Sequence, residues 1–347
     1  NGRVLAAAVD LDTIACVSAT EDHTIVVDSE GFAPITVKLD NLDVREKDFG
    51  TTLALIRGTA GVMQEMGYKG GFRATISSSV LRGSGLSSSA AFEVLIAAIL
   101  DGLYNGFIVD AKTRAVIAQK VENVYFGKPC GLMDQMASSV GGMVTIDFKE
   151  KDAKVEAIAC DFAAKGYALC VVNTGGDHGD LTDDYAAIRK EMEAVAAHFG
   201  KHVLREVEPE TVESRIGEVR RACGDRAVLR AFHFYADNDR VPQQVAALRE
   251  GDFDAFLQMV TASGDSRMHT ALRRLRAGNC PLVAKAALVR TTGVRNKQCD
   301  IRMARCAHAP VLSCHSPSAP ALPAPPAAPL PSCCGPCLWK ALLRSAA

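Results

Sequence analysis

The chain has 347 residues, 48% of them hydrophobic and 23% charged, with a formal net charge of −1. That composition is globular and leaves room for two domains; it excludes a disordered, collagen-like or disulfide-framework chain. No apolar run reaches bilayer length and the opening Asn1-Gly2-Arg3 has no leader character, so the expected setting is cytoplasmic, with no membrane partner.

Val4 to Ser18 is apolar and partly β-branched, the pattern of a buried strand. His23–Asp28 and Ile35–Leu39 read as two strands joined by a turn at Glu30-Gly31. Thr51–Met66 is predicted helical, ending near Gly67, and Phe72–Val80 alternates as a strand. An apolar helix is predicted over Ala90–Leu103, with Phe92, Leu95, Ile96 and Leu100 at helical spacing. Asp110–Phe126 is a further helix, closed by Gly127 and Pro129. A Gly-rich segment to Gly142 follows, then strands over Met143–Phe148, Lys154–Ala159 and Tyr167–Asn173. Leu181–Phe199 is an amphipathic helix, and Val212 to about Val260 is helical with breaks at Gly224, Asp237 and Gly251. The fold class is α+β: a mixed sheet with helices, then a helix-rich second half. No internal repeat occurs.

The composition changes at Ser266. Residues 266–347 hold 12 of the 39 Lys and Arg but 1 of the 40 Asp and Glu, with 10 of 14 Pro and 7 of 12 Cys. The five earlier cysteines are scattered, as expected of reduced thiols. Ser316–Pro336 is dominated by Pro, Ala and Ser and is expected to be disordered. Cys333-Cys334-Gly335-Pro336-Cys337 lacks a second Cys/His pair at zinc-site spacing, so no metal is expected there. The basic residues are interleaved with Pro and Cys rather than clustered, so no nucleic-acid partner is expected. An out-of-frame translation of a GC-rich gene accounts for this composition, and translating the other two frames tests it.

The most informative stretch is Leu81-Arg82-Gly83-Ser84-Gly85-Leu86-Ser87-Ser88-Ser89-Ala90-Ala91, between the Phe72–Val80 strand and the Ala90 helix. A glycine- and serine-rich turn opening a helix presents free N–H groups and the positive end of the helix dipole to an anion. Gly83 and Gly85 permit close backbone approach, and Ser87, Ser88 and Ser89 add hydroxyls suited to phosphate oxygens or Mg²⁺. No Lys-Ser or Lys-Thr follows the glycines, which excludes a Walker A loop, and Ser88 stands where the third glycine of Gly-x-Gly-x-x-Gly belongs. The plain alternative is a serine N-cap.

A second constellation is Gln119-Lys120-Val121-Glu122 with Gly127-Lys128-Pro129-Cys130-Gly131-Leu132-Met133-Asp134-Gln135. Phosphoryl transfer needs a phosphate cradle, a metal and a carboxylate beside the attacking hydroxyl. Glu122 on a helix and Asp134 in a glycine-flanked loop are candidates for the last two. Asp177-His178-Gly179-Asp180 reads as a turn, and His233, among Phe232, Phe234 and Tyr235, as a packed histidine.

Taken together, Gly83 to Ala91 resembles the phosphate loop of the GHMP small-molecule kinases, and Pro129 to Gln135 resembles the galactokinase branch. Asn173-Thr174-Gly175, Asp184-Tyr185, Arg189, Arg230-Ala231-Phe232-His233-Phe234 and Arg240-Val241 extend the resemblance, which runs from Asn1 to about Asp265. It implies a ribosomal-protein-S5-like N-terminal domain over 1–165 and an incomplete, ferredoxin-like, helix-rich C-terminal domain over 166–265, with the site between them; composition makes 266–347 a low-complexity Pro/Ala/Cys/Arg tail that is expected to be disordered. It implies ATP and Mg²⁺ as cofactors and phosphorylation of galactose at its C1 hydroxyl. Gly83, Ser84, Gly85, Leu86, Ser87, Ser88 and Ser89 would wrap the ATP phosphates. Ser89 (or Ser88) and Glu122 would hold Mg²⁺, Asp134 would take the hydroxyl proton, and Gly131 and Tyr185 would contact the sugar. A non-catalytic sugar and ATP sensor, and a kinase of a related sugar such as N-acetylgalactosamine, are the alternatives. The family's Gly-Arg-x-Asn-Leu-Ile-Gly-Glu-His-like stretch would precede Gly2, and no Gly-Gly-Gly-Phe-like third motif occurs after Ser266. A chain truncated at its N-terminus and divergent after Asp265 is therefore expected.

Overall fold

Strand β1 (Arg3–Thr20) is 18 residues long because it serves two sets of partners. Its first part pairs antiparallel with β5 (Met143–Asp147), from Arg3 opposite Asp147 to Ala7 opposite Met143. Its second part pairs antiparallel with β4 (Gly71–Ser78), from Thr13 opposite Ser78 to Thr20 opposite Gly71. β2 (Thr24–Ser29) and β3 (Ile35–Lys38) form a hairpin whose turn places Gly31 at φ 80°, a conformation that favours glycine. β2 runs parallel to β4, and β6 (Lys154–Ile158) pairs with β5, giving the order β3-β2-β4-β1-β5-β6. β9 (Trp339–Ala346) also pairs with β1, while β7 (Tyr167–Val172) and β8 (Lys285–Arg290) make a separate ribbon. The structure is a computed structural model; it describes residues 1–80, 86–172, 182–275, 285–290 and 339–346, with side chains at 1–80, 86–169 and 186–266.

Helix α1 (Thr52–Glu65) carries the chain from β3 to β4 and is capped by Thr51, whose Oγ1 accepts the Ala54 N–H at 3.2 Å. α2 (Ser88–Tyr104) and α3 (Ala111–Val124) pack with it, and α4 (Met133–Val140) packs on α2 and α3. Strand β4 buries Phe72, Ala74 and Ile76 and exposes Arg73, Thr75 and Ser77, the period of a sheet with one covered face. Those side chains join Ile56 and Met63 of α1, Leu95 and Ile99 of α2 and Val121 of α3 in the largest core. A smaller core seats Met136 and Ala137 of α4 on Val144 and Ile146 of β5.

The second half is helical: α5 (Thr182–His198), α6 (Pro209–Ser214), α7 (Ile216–Cys223), α8 (Asp225–Glu250) and α9 (Phe253–Leu275). It has its own core around Val195, Val212, Val219, Val228 and Tyr235. The α+β class is as expected.

Four details differ from the expectation. The tail expected to be disordered contributes β8, paired with β7, and β9, paired with β1. Asp134 lies in the first turn of α4, not in a loop. That helix has eight residues flanked by Gly131 and Gly141, too short for a helical period to show, and it is held by the packing of Met136 and Ala137. α8 runs through Asp237 without a break, because that carboxylate is tied to Arg240 and His233 on its own helix. The helix predicted from Ala90 begins at Ser88. Gly224 and Gly251 do end helices, at φ 88° and 76°. Ser316–Pro336, the Cys333–Cys337 cluster and the Asp177–Asp180 turn lie outside the described residues.

Candidate active site

The site forms where the N-terminal ends of α2 and α4 meet the C-terminal end of α3. Gly83, Ser84 and Gly85 lie outside the described residues; Leu86 anchors the end of the loop by burying its side chain. Ser87 occupies the N-cap position of α2 but makes no side-chain cap bond. The expected alternative of a plain serine cap is therefore not what the hydroxyl does: it donates to Asp134 Oδ2 at 2.5 Å. Two residues on, Ser89 Oγ donates to Glu122 Oε1 at 3.1 Å. One helix end thus touches both carboxylates that the sequence singles out.

Glu122 is buried on α3, 3% exposed, and is engaged on both oxygens. Gln135 Nε2 donates to Oε2 at 2.7 Å, and Lys128 Nζ stands 3.5 Å from Oε1. The loop before α4 is fixed by its backbone: Lys128 N–H donates to the Glu122 carbonyl at 3.1 Å, and Cys130 N–H to Asn123 Oδ1 at 2.7 Å. Burial, reinforced by the Glu122 charge, pushes the Cys130 thiol up to about 12, so it is a packing group rather than a nucleophile. A Cβ on Gly131 would meet nothing within 4 Å, which leaves open space beside the first turn of α4. Tyr185 belongs to α5, with its side chain outside the described residues.

The structure adds groups that the sequence reading did not single out. Glu93, four residues past Ser89 on α2, is 0% exposed, and neither of its oxygens has a hydrogen-bond partner of ordinary geometry. Burial first, and the Glu122 charge second, push its pKa up to about 10; the nearby Gln135 amide and Lys128 ammonium oppose this without reversing it. Gln135, 1% exposed, ties Glu122 to the residue next to Asp134. The signal for Glu93 was present: it is an acid inside the apolar run Ala90–Leu100, where an unpaired carboxylate is costly. His233 is half-buried, with Nδ1 2.9 Å from Ser266 Oγ and Nε2 3.3 Å from Asp237. Among the described residues no three His, Cys, Asp or Glu side chains converge on a metal position. No helix among them is long and apolar enough to cross a membrane.

The donor set at Glu122 suits Mg²⁺ nonetheless. One carboxylate and one hydroxyl are hard oxygen ligands, and Mg²⁺ takes few protein ligands when nucleotide phosphates and water complete its shell.

The fold agrees with the comparisons. The GHMP kinases N terminal domain matches residues 54–142, a span from α1 to the end of α4 that contains every candidate site residue except Tyr185. A galactokinase of Streptomyces coelicolor is 30% identical over 297 residues, covering 83% of this chain and 74% of that protein. A galactokinase of Actinobacillus pleuropneumoniae is 33% identical over 219 residues, 61% of this chain and 54% of the relative. The chain thus spans about half the length of that relative. The crystal structure of Lactococcus lactis galactokinase complexed with galactose superposes with a TM-score of 0.65 at 22% identity, covering 76% of this chain and 69% of that one. The class is that of the GHMP kinases. Within it, the chain belongs to the galactokinase family.

Proposed function

We propose that this chain transfers the γ-phosphate of ATP to the C1 hydroxyl of galactose. The observation that carries the reading is the α2 N-terminus, where Ser87 meets Asp134 and Ser89 meets Glu122. The N–H groups of the first turn of α2, with no side-chain cap, are the phosphate site; the helix dipole favours the triphosphate there. Ser89 and Glu122 would hold Mg²⁺, which when bound neutralises charge on the β- and γ-phosphates. Asp134 accepts the proton of the attacking hydroxyl and orients it. The open space at Gly131 admits the sugar, with Tyr185 assigned to it by family resemblance. The division at residue 165/166 into two kinase domains belongs to the same proposal.

The test is transfer of labelled γ-phosphate from ATP to a sugar panel. Galactose is expected to be the preferred acceptor, and Asp134→Asn is expected to lower kcat by about 10²–10⁴-fold with ATP binding retained. Preference for N-acetylgalactosamine would move the assignment to a related sugar kinase. A folded, ATP-binding chain that phosphorylates no sugar would overturn it and favour a sensor.

A further inference from the structure

The hydroxyl of Ser87 was expected to bind phosphate, and the structure gives it another partner. Ser87 is a non-glycine residue in the left-handed region, at φ 55° and ψ 50°. That conformation costs an L-residue with a Cβ roughly 1–2 kcal/mol and persists only where the surroundings impose it. A serine at a helix N-cap ordinarily adopts extended backbone and turns its oxygen back to the N–H groups of the first turn. Here the left-handed twist swings the side chain away from α2 and toward α4, where Oγ meets Asp134 Oδ2 at 2.5 Å. The same twist leaves the first-turn N–H groups of α2 without a side-chain competitor.

We propose that Ser87 is the positioning residue for Asp134: its strained backbone aims a hydroxyl that holds one carboxylate oxygen and turns the other toward the sugar hydroxyl. It rests on the reading of Asp134 as proton acceptor. One serine then has two effects. It fixes the rotamer of the acceptor, and by not capping its own helix it keeps the phosphate site free. Ser89, two residues later, faces Glu122 instead, so the division of labour between neighbouring hydroxyls follows from the single left-handed residue.

The experiment compares Ser87→Ala, which keeps the strain and removes the hydroxyl, with Ser87→Gly, which removes both. Both are expected to lower kcat about tenfold with KM for ATP within twofold, and Ser87→Gly is expected to melt at least as high as Ser87→Ala. In parallel, melting temperatures of Ser87→Ala, Asp134→Ala and the double variant form a cycle. The double variant is expected to shift less than the two singles together. This cycle needs no turnover, so it reads the contact even if the protein proves inactive on every sugar, an outcome that would count against the kinase reading alone. Unchanged kcat in both variants of an active enzyme overturns the inference. So does a rise in KM for ATP at constant kcat, which would make the hydroxyl a phosphate ligand, and so does an additive cycle.

Discussion

Glu93 is an acid enclosed by the very helix that presents the phosphate site, and its chemistry is set by what surrounds it. Glu122 faces it from α3, Gln135 from α4 and Lys128 from the loop between them. With its pKa raised from 4.5 to about 10, the folded protein keeps a proton that the unfolded chain releases. Stability contributed by that proton is fully present below pH 4.5 and is lost as pH rises toward 10, at about 1.4 kcal/mol per pH unit for one proton. Glu93→Gln keeps the shape and removes the titration. The variant is expected to melt close to wild type at pH 5 and above it at pH 8; thermal melts across that range check the divergence. Parallel curves would show that Glu93 does not take up the proton. At this scale motif order and spacing singled out Ser89, Glu122 and Asp134, which the fold brings to one helix end. It was silent on which hydroxyl meets which carboxylate, since a backbone dihedral such as that of Ser87 leaves no trace in residue type other than where glycine would be easier.

At the scale of elements, the site depends on how closely α1 and α3 approach. A Cβ on Gly58 would lie 2.6 Å from Tyr125 Cγ and 2.8 Å from Val121 Cγ1, both on the far side of that contact. Gly58→Ala therefore overpacks it and is expected to cost about 1–3 kcal/mol, although alanine is the better helix former. Denaturant midpoints of the variant and wild type check this, and an equal or higher midpoint would mean the two helices can part without loss. The long helices were legible from period and caps: Thr51 and Asp110 both accept N–H groups of the helices they open. α4 was not legible, because eight residues between glycines carry too little pattern. The continuity of α8 through Asp237 was hidden for another reason, since its ion pairs to Arg240 and His233 are side-chain geometry that propensity does not encode.

At the scale of the whole molecule, an apolar core joining Met143 and Ile158 to Val245, Leu248 and Phe256 spans the two halves, and a small polar knot ties them beside it. Asp147, at the end of β5, accepts from Arg3 Nε at 2.9 Å and from Arg205 Nη2 at 3.1 Å. Arg205, in the segment before α6, also donates to Asn238 of α8 at 2.7 Å. Burial alone would raise the Asp147 pKa, but the two arginines and the Lys149 N–H hold it below 3.8. Its contribution is therefore present above pH 3.8 and is lost as acid protonates it below that. Asp147→Ala is expected to cost about 1–2 kcal/mol at pH 7, the partial exposure of Arg3 keeping the figure small. The gap between variant and wild type is expected to close in acid, which melts at falling pH measure; a gap independent of pH would assign the loss to packing. The α+β class and most of the element order followed from the sequence, but α4 and the strands β8 and β9 within 266–347 did not, and this knot joins positions 235 residues apart, from Arg3 to Asn238, that no local pattern connects.

β1 also has a timetable. It is made before all its partners: β4 begins at Gly71, β5, which covers Arg3 to Ala7, at Met143, and β9 at Trp339. At about 5–20 residues per second, the pairing edge that β5 will cover stands open for on the order of 10 s of synthesis. An unpaired, largely apolar edge of this length invites association with other chains. Association during synthesis is therefore expected to grow with chain concentration, and pairing partners this far apart in sequence are expected to slow refolding, which refolding yield measured against protein concentration checks.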